Sequence, residues 1–277
     1  MQLKDIVIRA GSAAVLAPLA LAGLWMGGWY FMALMGAAAA LLAWEWAKMT
    51  APGASKWMWA AVAVGIMVPG LTAYTNDISL ALVLLVFGAM IAFLIAHLVR
   101  RSPIDAAYGV FYIGWPLVLL VWLRVSDEGG RWIILLFAVT WAADIFAYLV
   151  GNLFGGPKLW PRFSPNKTWS GFIGGLIGGT VVAMTIVAFV ARWPIMGQDM
   201  SLTAVNPWLA GFIGLAGALA TMAGDLWESA LKRRYGVKDS GDLIPGHGGL
   251  LDRVDGLMFA VVVVAAIKLA VDSGMTA

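Results

Sequence analysis

Residues 78–99 read ISLALVLLVFGAMIAFLIAHLV, an apolar run whose polar side chains are Ser79 and, at its end, His97. An α-helix rising about 1.5 Å per residue needs roughly 20 such residues to cross the 30 Å hydrocarbon core of a bilayer. Comparable runs occur at 6–25, 29–47, 56–74, 105–124, 131–152, 170–192, 207–231 and 254–272. The expected fold class is therefore all-α: a polytopic helical integral membrane protein with about nine transmembrane helices. Barrel strands would instead alternate over about ten residues, which these continuous runs do not. The run behind Lys4 and Arg9 has some marks of a signal peptide, but a second run starts directly after Gly27 and Gly28, so a helical hairpin is the simpler reading.

Composition agrees. The chain is 62% hydrophobic and 12% charged, carries a net charge of +3, and has no cysteine, which excludes disulfides and thiol catalysis. No nucleic-acid partner is expected. A single membrane-embedded domain over 1–277 is anticipated, with N-terminal helices in 1–130 and the helices and loops of the active site in 131–277.

The position of the cations orients the spans. Lys4, Arg9, Lys48, Lys56, Arg100, Arg101, Lys158, Arg162, Lys167, Lys232, Arg233, Arg234, Lys238 and Arg253 fall on one side of a nine-span topology, whereas only Arg124, Arg131, Arg192 and Lys268 fall on the other. The positive-inside rule then puts the N-terminus and the polar loops 153–169 and 232–253 in the cytoplasm and the C-terminus outside. Trp25, Trp29, Trp57, Trp160, Trp169, Trp193 and Trp208 sit near span ends, where an amphipathic ring suits the interface.

Polar chemistry concentrates in Ser229–Asp255, SALKRRYGVKDSGDLIPGHGGLLDRVD. Charge beside a bilayer must be offset by partners, water or ligand, so this segment is the candidate site. Just upstream, Asp225, Glu228, Ser229 and Lys232 follow an i, i+3, i+4, i+7 pattern and share one helical stripe. An interfacial, salt-bridged helix end is one reading; hard carboxylate oxygens suited to Mg²⁺ are the other. Asp252 and Asp255 open the last span, either as helix-capping acids or, with Asp225, as a binuclear metal site. The glycines around His247, including Gly248 and Gly249, form a flexible turn or let backbone N–H groups approach an anion. Lys232, Arg233, Arg234 and Lys238 beside them point to phosphate.

Ser164, Asn166, Lys167 and Thr168 offer hydroxyl, amide and ammonium groups suited to a nucleotide, or make an ordinary capped helix entrance. Gly171, Gly175 and Gly179, with Gly174 and Gly178, have the four-residue spacing of close helix packing. Asp144 lies well inside its span with Tyr148 four residues on, which marks a polar cavity or a locally hydrogen-bonded acid.

Taken whole, the Ser229–Asp255 segment resembles the signature of CDP-diacylglycerol synthases, also called phosphatidate cytidylyltransferases, and Ser164–Gly171 resembles a second segment of that family. Ser170 departs from the acidic or amide residue expected there. The resemblance implies that CTP and phosphatidate give CDP-diacylglycerol and pyrophosphate, with magnesium and, as a further candidate, a monovalent cation such as K⁺. It implies Asp225 and Asp252 as metal ligands and Asp255 as a supporting acid. Lys232, Arg233, Lys238, Asp239, His247 and Arg253 become candidate catalytic groups. Ser164, Asn166, Lys167, Thr168, Gly248 and Gly249 become contacts for the nucleotide, and Asp144, Tyr148, Glu228 and Ser229 further cavity residues. A homodimer in the cytoplasmic (inner) membrane of a bacterium is expected.

The attacking phosphate is already anionic, so no Ser-His-Asp device is needed; repulsion between the reactants is the obstacle. Two unit charges about 4 Å apart cost on the order of 4 kcal/mol at an effective dielectric near 20. Rival readings are a CTP-dependent enzyme acting on an ether or polyprenyl lipid, and an ion-coupled secondary transporter using Asp144, Asp225 and Glu228. A CDP-alcohol phosphotransferase is matched only by the fragment Asp255-Gly256.

Overall fold

The computed structural model describes residues 18, 22–24, 26–53, 56–190, 205–244 and 248–274. Among them are eight helices long and apolar enough to cross a membrane. They are α1 (Gly28–Thr50), α2 (Lys56–Ala73), α3 (Ile78–Leu98), α4 (Pro103–Val125), α5 (Gly129–Phe154), α6 (Trp169–Val190), α7 (Pro207–Arg234) and α8 (Leu251–Asp272). The expected span at 6–25 lies almost wholly outside the described residues. Between α5 and α6 the chain adds a feature that hydropathy did not anticipate, a two-stranded antiparallel hairpin of β1 (Lys158–Trp160) and β2 (Ser164–Thr168).

Helix α3 shows why lipid is the solvent. Only 28% of its apolar stretch is buried, and Val83, Val86, Phe87, Met90, Ile91 and Leu94 face outward. A contiguous apolar face of that kind is costly in water and normal in hydrocarbon.

By contacts the chain forms two compact units. One comprises residues within Met1–Ser126 and Lys232–Val254, the other residues within Asp127–Leu231 and Asp255–Ala277. The loop after α7 falls in the unit of α1–α4, where α1 and α4 carry side chains that hold it.

In the first unit, α1 packs on α2 and α4, α2 on α3 and α4, and α3 on α4. Helices α2 and α3 meet backbone to backbone. A Cβ on Gly88 would stand 2.7 Å from the Gly65 carbonyl oxygen, and one on Gly65 3.2 Å from that of Gly88. On α4, Gly109 leaves room for the Trp46 indole, which a Cβ would approach to 2.2 Å. Asp77 caps α3 by accepting the Leu80 amide at 2.9 Å, and Ser102 caps α4 by accepting that of Asp105 at 3.3 Å.

The second unit is built on the glycines of α6, as their spacing predicts. Cβ atoms on Gly171 and Gly175 would each lie 2.7 Å from a carbonyl oxygen of α5, that of Ala147 and Ala143 respectively. Gly174 and Gly178 receive Val150 and Phe146 of the same helix, while Gly179 faces Ala218 of α7. Helix α8 approaches α7 where Gly224 abuts the Asp255 carbonyl and Gly256 abuts Thr221. In hydrocarbon this close approach supplies the van der Waals contact that the hydrophobic effect cannot.

Gly88→Val should lower the midpoint of thermal unfolding in detergent, at a cost of about 1–3 kcal/mol for overpacking a backbone contact. Gly130→Ala, where an added Cβ meets nothing within 4 Å, should leave it unchanged.

Candidate active site

The signature segment begins as α7 ends. Gly236, at φ +72°, takes the left-handed position that closes the helix: its amide donates to the Arg233 carbonyl at 3.2 Å and that of Val237 to the Lys232 carbonyl at 2.9 Å. Tyr235 then folds onto α4, its hydroxyl donating to Asp105 Oδ1 at 2.8 Å, with Arg234 Nη2 3.7 Å from the same oxygen. Burial, reinforced by the Asp105 carboxylate, raises the Tyr235 phenol above its ordinary range, only partly offset by Arg234. Trp46 of α1 packs edge-on against this ring and donates its indole N–H to the Asp105 carbonyl at 2.9 Å.

Further along, Asp252 organises the loop. Its Oδ1 accepts from Lys232 Nζ at 2.6 Å; its Oδ2 accepts from the Ser240 amide at 3.0 Å, the Ser240 hydroxyl at 3.0 Å and the Gly249 amide at 2.8 Å. Gly248 makes the turn at φ +83°, where its carbonyl accepts from the Ile244 amide at 2.9 Å. Arg233, Lys238, Asp239 and Arg253 are exposed around this framework. His247 lies outside the described residues.

A second carboxylate, one that sequence reasoning missed, sits beneath the loop. Glu45 of α1 is 1% exposed; its Oε1 accepts the Leu250 amide at 2.8 Å and its Oε2 the Leu251 amide at 2.7 Å, with Ser240 Oγ 3.4 Å away. These are orphan donors at the start of α8, where a negative charge is also favoured by the helix dipole. The signal was available: Glu45 is the one acid inside the predicted span 29–47, and an ionisable residue at membrane depth marks a site.

The other unit carries a separate polar cluster. Lys167 on β2 forms an ion pair with Asp225 of α7, both side chains partly exposed. The charges of Asp255, Asp225 and Lys167 also act on Asp144 in α5. Glu228 is fully buried, Ser229 half-buried, and Tyr148 is 71% exposed. In β2, side chains alternate, so Lys167 points away from Ser164, Asn166 and Thr168. Thr168 is committed to the helix entrance: its hydroxyl accepts the Gly171 amide at 3.2 Å and lies 3.0 Å from Ser170 Oγ. Ser170, the departing position, donates its hydroxyl to the Gly155 carbonyl and closes the base of the hairpin.

These residues suit magnesium chemically. Mg²⁺ is usually held by one or two carboxylates together with substrate phosphates, not by an all-protein cage. No group of three His, Cys, Asp or Glu side chains forms a metal-ligand set among the described residues. Asp225 offers partly exposed hard oxygens, and an ammonium already rests on them. On Asp252 the Oδ2 is saturated by three donors, which leaves Oδ1, held by Lys232, as the atom able to exchange one cation for another.

The class of molecule these observations define is a helical integral membrane protein with an acid–lysine pair in each unit and, in the first, a glycine-bearing loop suited to anionic groups. Residues 7–270 match the Cytidylyltransferase family, and the chain belongs to that family. It is 36% identical over 265 residues to the phosphatidate cytidylyltransferase of Brucella abortus biovar 1 (strain 9-941), covering 93% of this chain and 91% of that protein. It is likewise similar to the phosphatidate cytidylyltransferases of Staphylococcus saprophyticus (36% over 189 residues, 68% of each chain) and Staphylococcus haemolyticus (41% over 165 residues, 58% of each chain).

Tyr235→Phe keeps the ring against Trp46 and removes one hydrogen bond, so it should destabilise the fold by about 0.5–1.5 kcal/mol in thermal unfolding. A phenol whose folded pKa is raised stabilises the fold fully below its unfolded value near 10 and loses that contribution as pH climbs through the raised value. The difference between the two proteins should therefore hold constant from pH 6 to 9.

Proposed function

We propose that this protein is a phosphatidate cytidylyltransferase, transferring the cytidylyl group of CTP to phosphatidate to give CDP-diacylglycerol and pyrophosphate. The observation that carries the reading is the 36% identity to a protein of that name across 93% of the chain. The acid–lysine pairs support it, since the reaction brings together two anions whose repulsion must be neutralised.

In this reading an oxygen of the phosphatidate phosphate attacks the α-phosphorus of CTP in line, and the bond from that phosphorus to the bridging oxygen breaks. Pyrophosphate leaves with the electron pair, and no covalent enzyme intermediate forms. Asp225 and Asp252 are assigned to magnesium, Asp255 as a supporting acid and Asp144 as a polar-cavity residue; a monovalent cation such as K⁺ is a further candidate. When bound, the metal supplies positive charge and orientation to the triphosphate. Lys167 and Lys232, released from their carboxylates, Arg233, Lys238 and Arg253 are the chain's own cations for substrate phosphates. His247, Asp239, Gly248 and Gly249 are assigned to the same loop, and Ser164 and Asn166 to the nucleotide.

The acyl chains of phosphatidate stay in lipid while CTP arrives from water, and the proposed location is the bacterial inner membrane. The 14-to-4 division of lysine and arginine in a nine-span topology supports an orientation with the N-terminus and the polar loops in the cytoplasm and the C-terminus outside. A homodimer is the proposed assembly.

Purified protein given labelled CTP, phosphatidate and magnesium should yield a lipid-soluble cytidine product and pyrophosphate in equal amounts. Failure across lipid compositions overturns the reading; release of CDP with a phosphorylated polyprenol instead would favour the rival CTP-dependent enzyme acting on a polyprenyl lipid. Asp225→Asn should lower turnover by at least about 100-fold, the scale of losing one electrostatic stabiliser of the reacting phosphates, here the cation Asp225 would hold, while the protein still inserts in the membrane. Reporter fusions should place the N-terminus inside and the C-terminus outside.

A further inference from the structure

We propose that Glu45 is a positioning residue for the reaction, acting through the loop that carries Asp252 and Lys232; this rests on the cytidylyltransferase reading. Three observations on the page converge on it. First, Glu45 spends both carboxylate oxygens on consecutive backbone amides, those of Leu250 and Leu251, at 2.8 and 2.7 Å. The residue that follows is Asp252, so the carboxylate fixes the backbone from which Asp252 projects. Second, two glycines of the signature are shaped around it. A Cβ on Gly249 would stand 2.7 Å from Glu45 Oε1 and 2.0 Å from Ser240 Oγ, and one on Gly241 2.9 Å from Glu45 Oε1. Third, its neighbour Trp46 secures the other end of the loop, through the Asp105 carbonyl and the ring of Tyr235.

Two adjacent residues of α1 thus hold both ends of one loop. Ser240 links the carboxylates: its hydroxyl donates to Asp252 at 3.0 Å and lies 3.4 Å from Glu45. With Glu45 in place, Asp252 Oδ2 is fixed by three donors and its Oδ1 is directed to Lys232. Glu45 touches no reacting atom in this scheme. It sets the direction of the groups that do.

Glu45→Gln tests the proposal in the full-length protein. An amide can accept from only one of the two N–H groups and turns a donor toward the other. Hydrogen exchange should show the Leu250 and Leu251 amides opening at least about tenfold faster, the factor of one lost hydrogen bond, with α3 amides unchanged. Turnover should fall about 10–100-fold and the half-saturating magnesium concentration should rise, as when a residue supporting a metal ligand is removed. Leu85→Ala, a core variant in α3, serves as the control: it costs thermal stability but should leave loop exchange and the magnesium dependence as in the parent. Should Glu45→Gln not fold, Gly249→Ala pushes a methyl into the same carboxylate from the loop side and must give the same pair of changes. Unchanged exchange at Leu250 and Leu251 overturns the proposal, as does faster exchange with normal turnover and magnesium dependence. A parent protein that makes no cytidine lipid removes the functional reading on which the proposal rests, and exchange then decides separately whether Glu45 holds the loop.

Discussion

A carboxylate inside an apolar helix must find donors or cations, because hydrocarbon offers neither. Glu45 finds two backbone amides at the start of α8, and in satisfying itself it also satisfies donors that every helix N-terminus leaves open. Beside Glu45, Ser240, Gly249 and Asp252 form one hydrogen-bonded arrangement.

The second unit meets the same constraint by a different route. There the compensating group is an ammonium, Lys167, carried to Asp225 by a short hairpin. Asp255, Asp225 and Lys167 all act electrostatically on Asp144 there. The glycines of α6 make this feasible by letting α5 and α7 approach closely, so the polar residues share a small volume. In both units a lysine rests on an acid.

Much of this was legible in the chain. Residues such as 78–99 fix a membrane helix by length and apolarity, and the segment Ser229–Asp255 carries the family resemblance. The glycine spacing of 171–179 announces close packing, which the contacts with Ala143, Ala147, Val150 and Phe146 bear out. What escaped was Glu45, which lacks any motif, along with Ser240, Asp105 and the hairpin before α6. Thr168 and Ser170 read equally well as nucleotide contacts or as a helix entrance, and their hydroxyls are engaged at that entrance.

The sequence by itself determined the solvent, the place of the eight apolar helices among the described residues, and the stretch in which polar side chains are gathered, because hydropathy and periodicity are local properties. Tertiary structure decided which acid meets which donor. Glu45 and the Leu251 amide are 206 residues apart, and Lys232 and Asp252 are 20. No local pattern specifies such partners, since they are chosen only when packed helices bring them within hydrogen-bonding distance and leave no water to compete.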